Sequence, residues 1–143
     1  MSATFRRHVP ADVAPPFASY AHGVEIDGPV RLLFGAGQVG VDADGRLGDG
    51  IAEQAQLVWR NIERVLASAG MGMGDVVQLT MYLVDRDDRA EARRVRDEAL
   101  GDHRPASTLL FVSGLSDPAW RIEIDFVAAA ASAFEAPQAP PAR

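Results

Sequence analysis

Few residues of this 143-residue chain are equipped for chemistry, and their types narrow the options quickly. The absence of cysteine removes thiolate nucleophiles, thiolate metal ligands and disulfides. Lysine is also absent, so a Schiff base on a lysine side chain is closed to this protein. His8, His22 and His103 are scattered at no metal-ligand spacing, so neither a metal nor another cofactor is expected. Ser107 and Ser113 sit in no nucleophile elbow. Gly35-Ala36-Gly37-Gln38-Val39-Gly40 spells the dinucleotide fingerprint, but Val41 to Arg46 read as strand end and turn. Without a helix opening inside the motif, no N-terminus is available to hold a pyrophosphate. The plainer reading is that these glycines ease a bent strand. What remains is Glu123, a carboxylate between isoleucines, which taken alone reads as a solvent-facing residue of a half-buried strand.

The elements around Glu123 follow from periodicity. Thr108 to Val112 is a short apolar β run, Ser113 to Pro118 supplies turn residues, and Arg121 to Val127 alternates with period two. Ile122, Ile124 and Phe126 then share one face, and Glu123, Asp125 and Val127 the other. Upstream, Ser19 to Ile26 is extended, Asp27-Gly28 is a hairpin turn pair, and Arg31 to Gly35 is a strand. Asp49-Gly50 opens a helix to Ser68 whose stripe is Ile51, Ala55, Val58, Ile62, Val65, Leu66 and Ala69, with Gly70 as its stop. Val76 to Val84 is a strand. A second helix, capped by Asp87 or Asp88, ends near Leu100-Gly101 and carries the four-residue pairs Arg93–Asp97 and Arg94–Glu98.

The order is β-β-α-β-α-β-β, an α+β two-layer sandwich of a mixed sheet with two helices on one face. Its single domain spans 15–131, between flexible tails at 1–14 and 132–143. Leu32-Leu33-Phe34 and Leu109 to Val112 put apolar side chains on both faces of the sheet. Two helices cover only one face, so further copies of the chain are expected on the other. A net charge of −6 argues against a nucleic-acid surface. No apolar run approaches the ~20 residues of a membrane span, and Met1 to Pro16 holds no signal-peptide core, so a cytoplasmic location is expected.

One ordered set of motifs goes further. Tyr20-x-x-Gly23 is followed by Gly37-Gln38, Ala69-Gly70 and Asp75-Val76-Val77-x-x-Thr80-x-Tyr82-Leu83-x-Asp85. Then come Pro105-Ala106, Gly114-Leu115-x-x-Pro118 and Arg121-Ile122-Glu123-Ile124. Between about Pro15 and Ala131 the chain resembles the YjgF/Rid family of reactive-intermediate deaminases. The resemblance implies the chorismate mutase-like Rid fold and a homotrimer whose sheets form an inner barrel, with a small-molecule pocket at each subunit interface. It also implies metal-independent hydrolysis of imines or enamines to a carbonyl compound and ammonia. Glu123 matches the glutamate that positions water, Gly37 a glycine lining the pocket, and Tyr20 a residue entering from a neighbouring subunit.

The pattern also departs from the family's. Active deaminases carry an arginine directly after Pro-Ala to grip the substrate carboxylate, and here that position is Ser107. A hydroxyl brings neither charge nor two-pronged geometry. Ala36 and Leu109 replace small polar pocket positions, so a substrate less anionic and more apolar than an amino-acid imine is expected. Arg104 is three residues from Ser107 and faces the opposite way in an extended chain. Arg93 stands where the family often has a pocket-side asparagine, and could return the missing charge. Beside the enzyme reading stand a non-catalytic metabolite-binding trimer and, more weakly, an endoribonuclease.

Overall fold

A computed structural model describes residues 2–133 of the chain. Six strands and two long helices follow in the order β1 (Thr4–His8), β2 (Gly23–Asp27), β3 (Val30–Val39), α1 (Gly50–Ser68), β4 (Val76–Leu83), α2 (Arg89–Leu100), β5 (Ala106–Phe111) and β6 (Ile122–Ala131). Short 3-10 turns at Met73–Asp75 and Arg86–Asp88 precede β4 and α2. The main sheet has the order β3-β6-β4-β5, with β4 and β5 parallel and the other pairs antiparallel.

Its helix-covered face is the one the alternation marks. Ile122, Ile124 and Phe126 of β6 join Leu79, Met81 and Leu83 of β4 beneath Ala55, Val58, Ile62 and Leu66 of α1, all of them buried. α1 stops at Gly70, whose φ of +67° suits a residue without a side chain. The protein is a two-layer α+β sandwich.

Four details differ from the sequence reading. β1 lies inside the 1–14 stretch expected as a tail, where it pairs antiparallel with β2 in a ribbon. Its residues TFRRH are all exposed, so no apolar period announces it. β2 does not form a hairpin with β3, although Asp27-Gly28 turns between them. Pro29 follows at once and has no N–H to offer a ladder. β5 and β6 are not neighbours, because β4 sits between them. Finally, Asp88 stands at the N-cap of α2 without capping it, since its carboxylate is taken by Arg121. Of the 132–143 tail, 134–143 lie outside the described residues.

The face away from the helices is only partly polar. Leu32 is 52%, Phe34 74% and Leu110 46% exposed. Burying such a side chain is worth about 1.5–3 kcal/mol, which a lone chain leaves unrealised here.

Candidate active site

Two hollows hold the residues singled out from the sequence. The first, about 530 Å³, opens on the uncovered face of the sheet. Gly37, Tyr82, Glu123 and Asp125 form its base, and Gly114, Leu115 and Ser116 its wall. Glu123 lies between Val39 of β3 and Tyr82 of β4 in the hydrogen-bonded register. The register of β3 shifts between Gly35 and Gln38. That shift explains how two glycines at even spacing face opposite sides. A Cβ on Gly35 would stand 2.2 Å from the Phe126 ring in the core, whereas one on Gly37 would stand 1.9 Å from Glu123 Oε1 on the open face. Gly37 is therefore the vacancy into which the Glu123 carboxylate folds.

Beside it, the Tyr82 hydroxyl donates to Asp125 Oδ2 at 3.0 Å. Donation to that carboxylate raises the phenol's pKa above its ordinary value, with burial and the charges of Asp125 and Glu123 adding to the effect. The wall is anchored from behind. Arg121 donates through Nε at 2.9 Å and Nη2 at 2.6 Å to the buried carboxylate of Asp88. The Arg121 backbone N–H donates to Gln54 Oε1 at 2.9 Å, and Gln54 Nε2 donates to the Ala119 carbonyl at 3.2 Å. Both helices thus grip the segment that leads from Ser116 into Glu123.

The second hollow, about 280 Å³, lies at the edge strand β5 and is lined by Phe17, Tyr20, Arg93, Arg96, Ser107 and Leu109, with Ala18 and Thr108. Ser107 pairs with the core residue Leu79, which puts its side chain on the helix side of the sheet. Tyr20 is set by two contacts: its hydroxyl accepts from the Phe17 N–H at 3.3 Å, and its ring meets His22 edge-on at 5.8 Å.

The expected Arg93–Asp97 pair does not form. Asp97 accepts from Arg96 instead, at 3.1 and 2.9 Å, while Arg94 is held by Glu91 and Glu98. Arg93 is left with a buried Nε that has no hydrogen-bond partner among the described residues. That Nε is occluded from solvent, so Arg93, which lines the hollow, would meet an anion there through the outer nitrogens of its guanidinium.

Of the sequence candidates, Tyr20, Arg93, Ser107 and Leu109 therefore come together, and so do Gly37 and Glu123. Ala36 is exposed and lines neither hollow, and its carbonyl accepts from the Gln38 side chain. Arg104 donates to the carbonyls of Gly101 and His103, away from Ser107. The three histidines meet different partners: Glu25, the Ala14 carbonyl and the Val76 carbonyl. Sequence reasoning missed Tyr82, Asp125, Phe17 and Arg96. For Asp125 the period-two pattern already held the signal, since it shares a face with Glu123.

The two hollows share no residue, and within one chain they lie on opposite sides of the sheet. A furrow of about 550 Å³ along α1, between Arg46 and Arg64, shares no residue with either. Its walls are mixed-charge side chains, with Arg46 85% exposed and paired to Asp42. No helix among the described residues is long and apolar enough to cross a membrane.

Comparison with known proteins identifies the family and the fold. The family model described as Endoribonuclease L-PSP matches residues 11–130. The human 2-iminobutanoate/2-iminopropanoate deaminase is 30% identical over 131 residues, covering 90% of this chain and 93% of its own. A RutC family protein of Pyrococcus abyssi is 34% identical over 102 residues, covering 70% of this chain and 78% of its own. Among solved structures, the Rid protein YyfB of Yersinia pestis superposes with a TM-score of 0.74 at 32% identity, covering 87% of this chain and 97% of that one. With the family model spanning residues 11–130 and relatives at 30% identity or more matched over most of both chains, the chain belongs to the YjgF/RutC/Rid family.

Proposed function

We propose that this protein hydrolyses a small imine, or its enamine tautomer, to a carbonyl compound and ammonia at a seam between copies of the chain. The observation that carries the proposal is the Glu123 carboxylate folded against Gly37 on the uncovered sheet face, an acid group held where a water can be placed. The exposed Leu32, Phe34 and Leu110 favour assembly through that face, and the resemblance implies three copies. Assembly would bring the Glu123 hollow of one copy against the Tyr20–Arg93–Ser107 hollow of its neighbour, which a single chain cannot do.

In the reaction, Glu123 accepts a proton from water as the oxygen bonds to the imine carbon; the C=N π pair moves to nitrogen, which takes that proton from Glu123 to give a neutral carbinolamine. Glu123 then accepts the carbinolamine's hydroxyl proton and delivers it to the amine, the C–N bond breaks, ammonia leaves and the carbonyl forms. Water is consumed, and the carboxylate ends as it began.

Ser107 alone argues for a substrate of low charge. The guanidinium of Arg93 beside it supports an anionic group, with the apolar body of the substrate against Phe17 and Leu109. We therefore favour a 2-imino acid whose carboxylate is gripped from α2. A net charge of −6 without lysine disfavours RNA as a substrate.

The test is release of ammonia and 2-oxobutanoate from 2-iminobutanoate generated in place, followed alongside mass by light scattering. Turnover by an oligomer, lost in Glu123→Gln, is expected. Saturable binding of 2-oxobutanoate without any turnover would replace catalysis with the metabolite-binding reading. A fully active monomer would remove the shared-seam account.

A further inference from the structure

A third hollow, of about 530 Å³, lies between the β1–β2 ribbon and the main sheet, separate from both halves of the active site. Its walls are built from two directions. In the ribbon, Phe5 pairs with Ile26 and Arg7 with Val24, so Phe5, Arg7 and Val24 share one face. That face meets the start of β4, where Val76 is fully buried and Val77 nearly so, and the loop leading into β5 at His103 and Arg104. His103 Nε2 donates to the Val76 carbonyl at 2.6 Å, and Arg104 Nη1 donates to the carbonyls of Gly101 and His103 at 2.5 and 3.0 Å. These bonds fix the loop side of the hollow. Arg6, on the ribbon's other face at the rim, is tied to Glu25 at 3.4 Å.

The charge of this lining runs against that of the molecule. The chain carries −6 overall, yet every charged residue lining the hollow is an arginine: Arg6, Arg7 and Arg104, beside His103. The remaining lining is Phe5, Val24, Gly74, Val76 and Val77, with no carboxylate. Volume and make-up fall in the range of small-molecule pockets, with apolar walls and a few convergent polar groups. Nothing stands within 4 Å of where a Gly74 Cβ would be, so a side chain added at this lining position meets no steric bar.

We propose that this hollow is a second binding site, for a small molecule with an apolar body and one anionic group, such as an aromatic or branched carboxylate. The body lies on Phe5, Val24 and Val77, and the anion meets Arg7 and Arg104. The site does not depend on the deaminase reading, because it shares no residue with Glu123, Arg93 or Ser107.

The probe is phenylacetate, compared with its neutral analogue phenylacetamide, titrated against the full-length protein while the methyl resonances of Val24 and Val77 are followed by NMR. Saturable shifts at those methyls are expected for phenylacetate, with phenylacetamide at least tenfold weaker. Arg7→Met with Arg104→Met should weaken phenylacetate at least tenfold. Gly74→Leu, which adds a side chain at the lining without touching a charge, should block it, while Arg93→Met should leave these shifts in place. Equal binding of the amide, shifts confined to the Tyr20–Ser107 hollow, or no saturable shift in the unaltered protein would each overturn the proposal. The mapping on unaltered protein decides the matter even if a ribbon variant fails to fold.

Discussion

The two halves of the candidate active site are built on different principles. The Glu123 half rests on β6, which is hydrogen-bonded on both sides, and its wall is tied to both helices through Arg121 and Gln54. The Arg93 half is assembled at the sheet's edge from a helix, the end strand and the Phe17–Tyr20 segment. A proton-handling group tolerates little displacement, and Glu123, proposed for that role, sits on a strand paired along both edges. Arg93, proposed above to select the substrate, sits at an edge where one side-chain change would retune the hollow. On the proposed reading this also accounts for how Ser107 can be accommodated: charge at an edge hollow can come from more than one direction, and Arg93 of α2 lines the same hollow.

The contrast can be broken at several points. Replacing Glu123 with Gln should have the largest effect, lowering kcat about 10²–10⁴-fold as a general base is lost, with the thermal midpoint almost unchanged. Gly37→Ala comes next. Its methyl would sit 1.9 Å from Glu123 Oε1, so the carboxylate must move. A displacement of this order costs about 10²-fold in activity, and it should do so without changing the far-UV spectrum. Arg93→Met should act on the other half, raising KM for a 2-imino acid about 10–100-fold, the equivalent of losing a charge-assisted bond. It should spare an uncharged imine, and an equal loss on both substrates would mean that Arg93 does not select charge.

Tyr82→Phe should have the smallest effect. Its pKa is raised in the folded protein, so the stability it contributes is present below the ordinary tyrosine value and lost as pH rises through the raised one. The difference between absorbance titrations of the unaltered protein and this variant isolates the Tyr82 phenolate step, which should lie above the ordinary tyrosine value.

Much of the fold was legible because it obeys local periods. The alternation of Ile122, Ile124 and Phe126 against Glu123, Asp125 and Val127 placed Glu123 on the face away from the helices. The stripe of α1 and its stop at Gly70 were equally plain. What stayed hidden depends on long-range register. Nothing in residues 4–8 marks a strand whose partner begins at Gly23 beyond a proline-containing loop. The insertion of β4 between β5 and β6 is a choice of pairing, and composition does not record it. At the site, four-residue spacing suggested Arg93–Asp97, but Asp97 had a neighbour, Arg96, within reach. That local competition freed Arg93 for the hollow, and spacing alone could not decide it.

One tie reaches further than its own neighbourhood. Asp88 begins the helix that carries Arg93 a little over a turn later, and it clasps the arginine that leads into Glu123. If copies assemble through the open face, each chain lends its two halves to two different seams, and this ion pair joins them mechanically inside the chain. A helix nudged by an occupant at one seam would tug the strand serving the next. Occupancy should then be communicated around the ring, giving a Hill coefficient different from one that returns toward one when Arg121 is replaced.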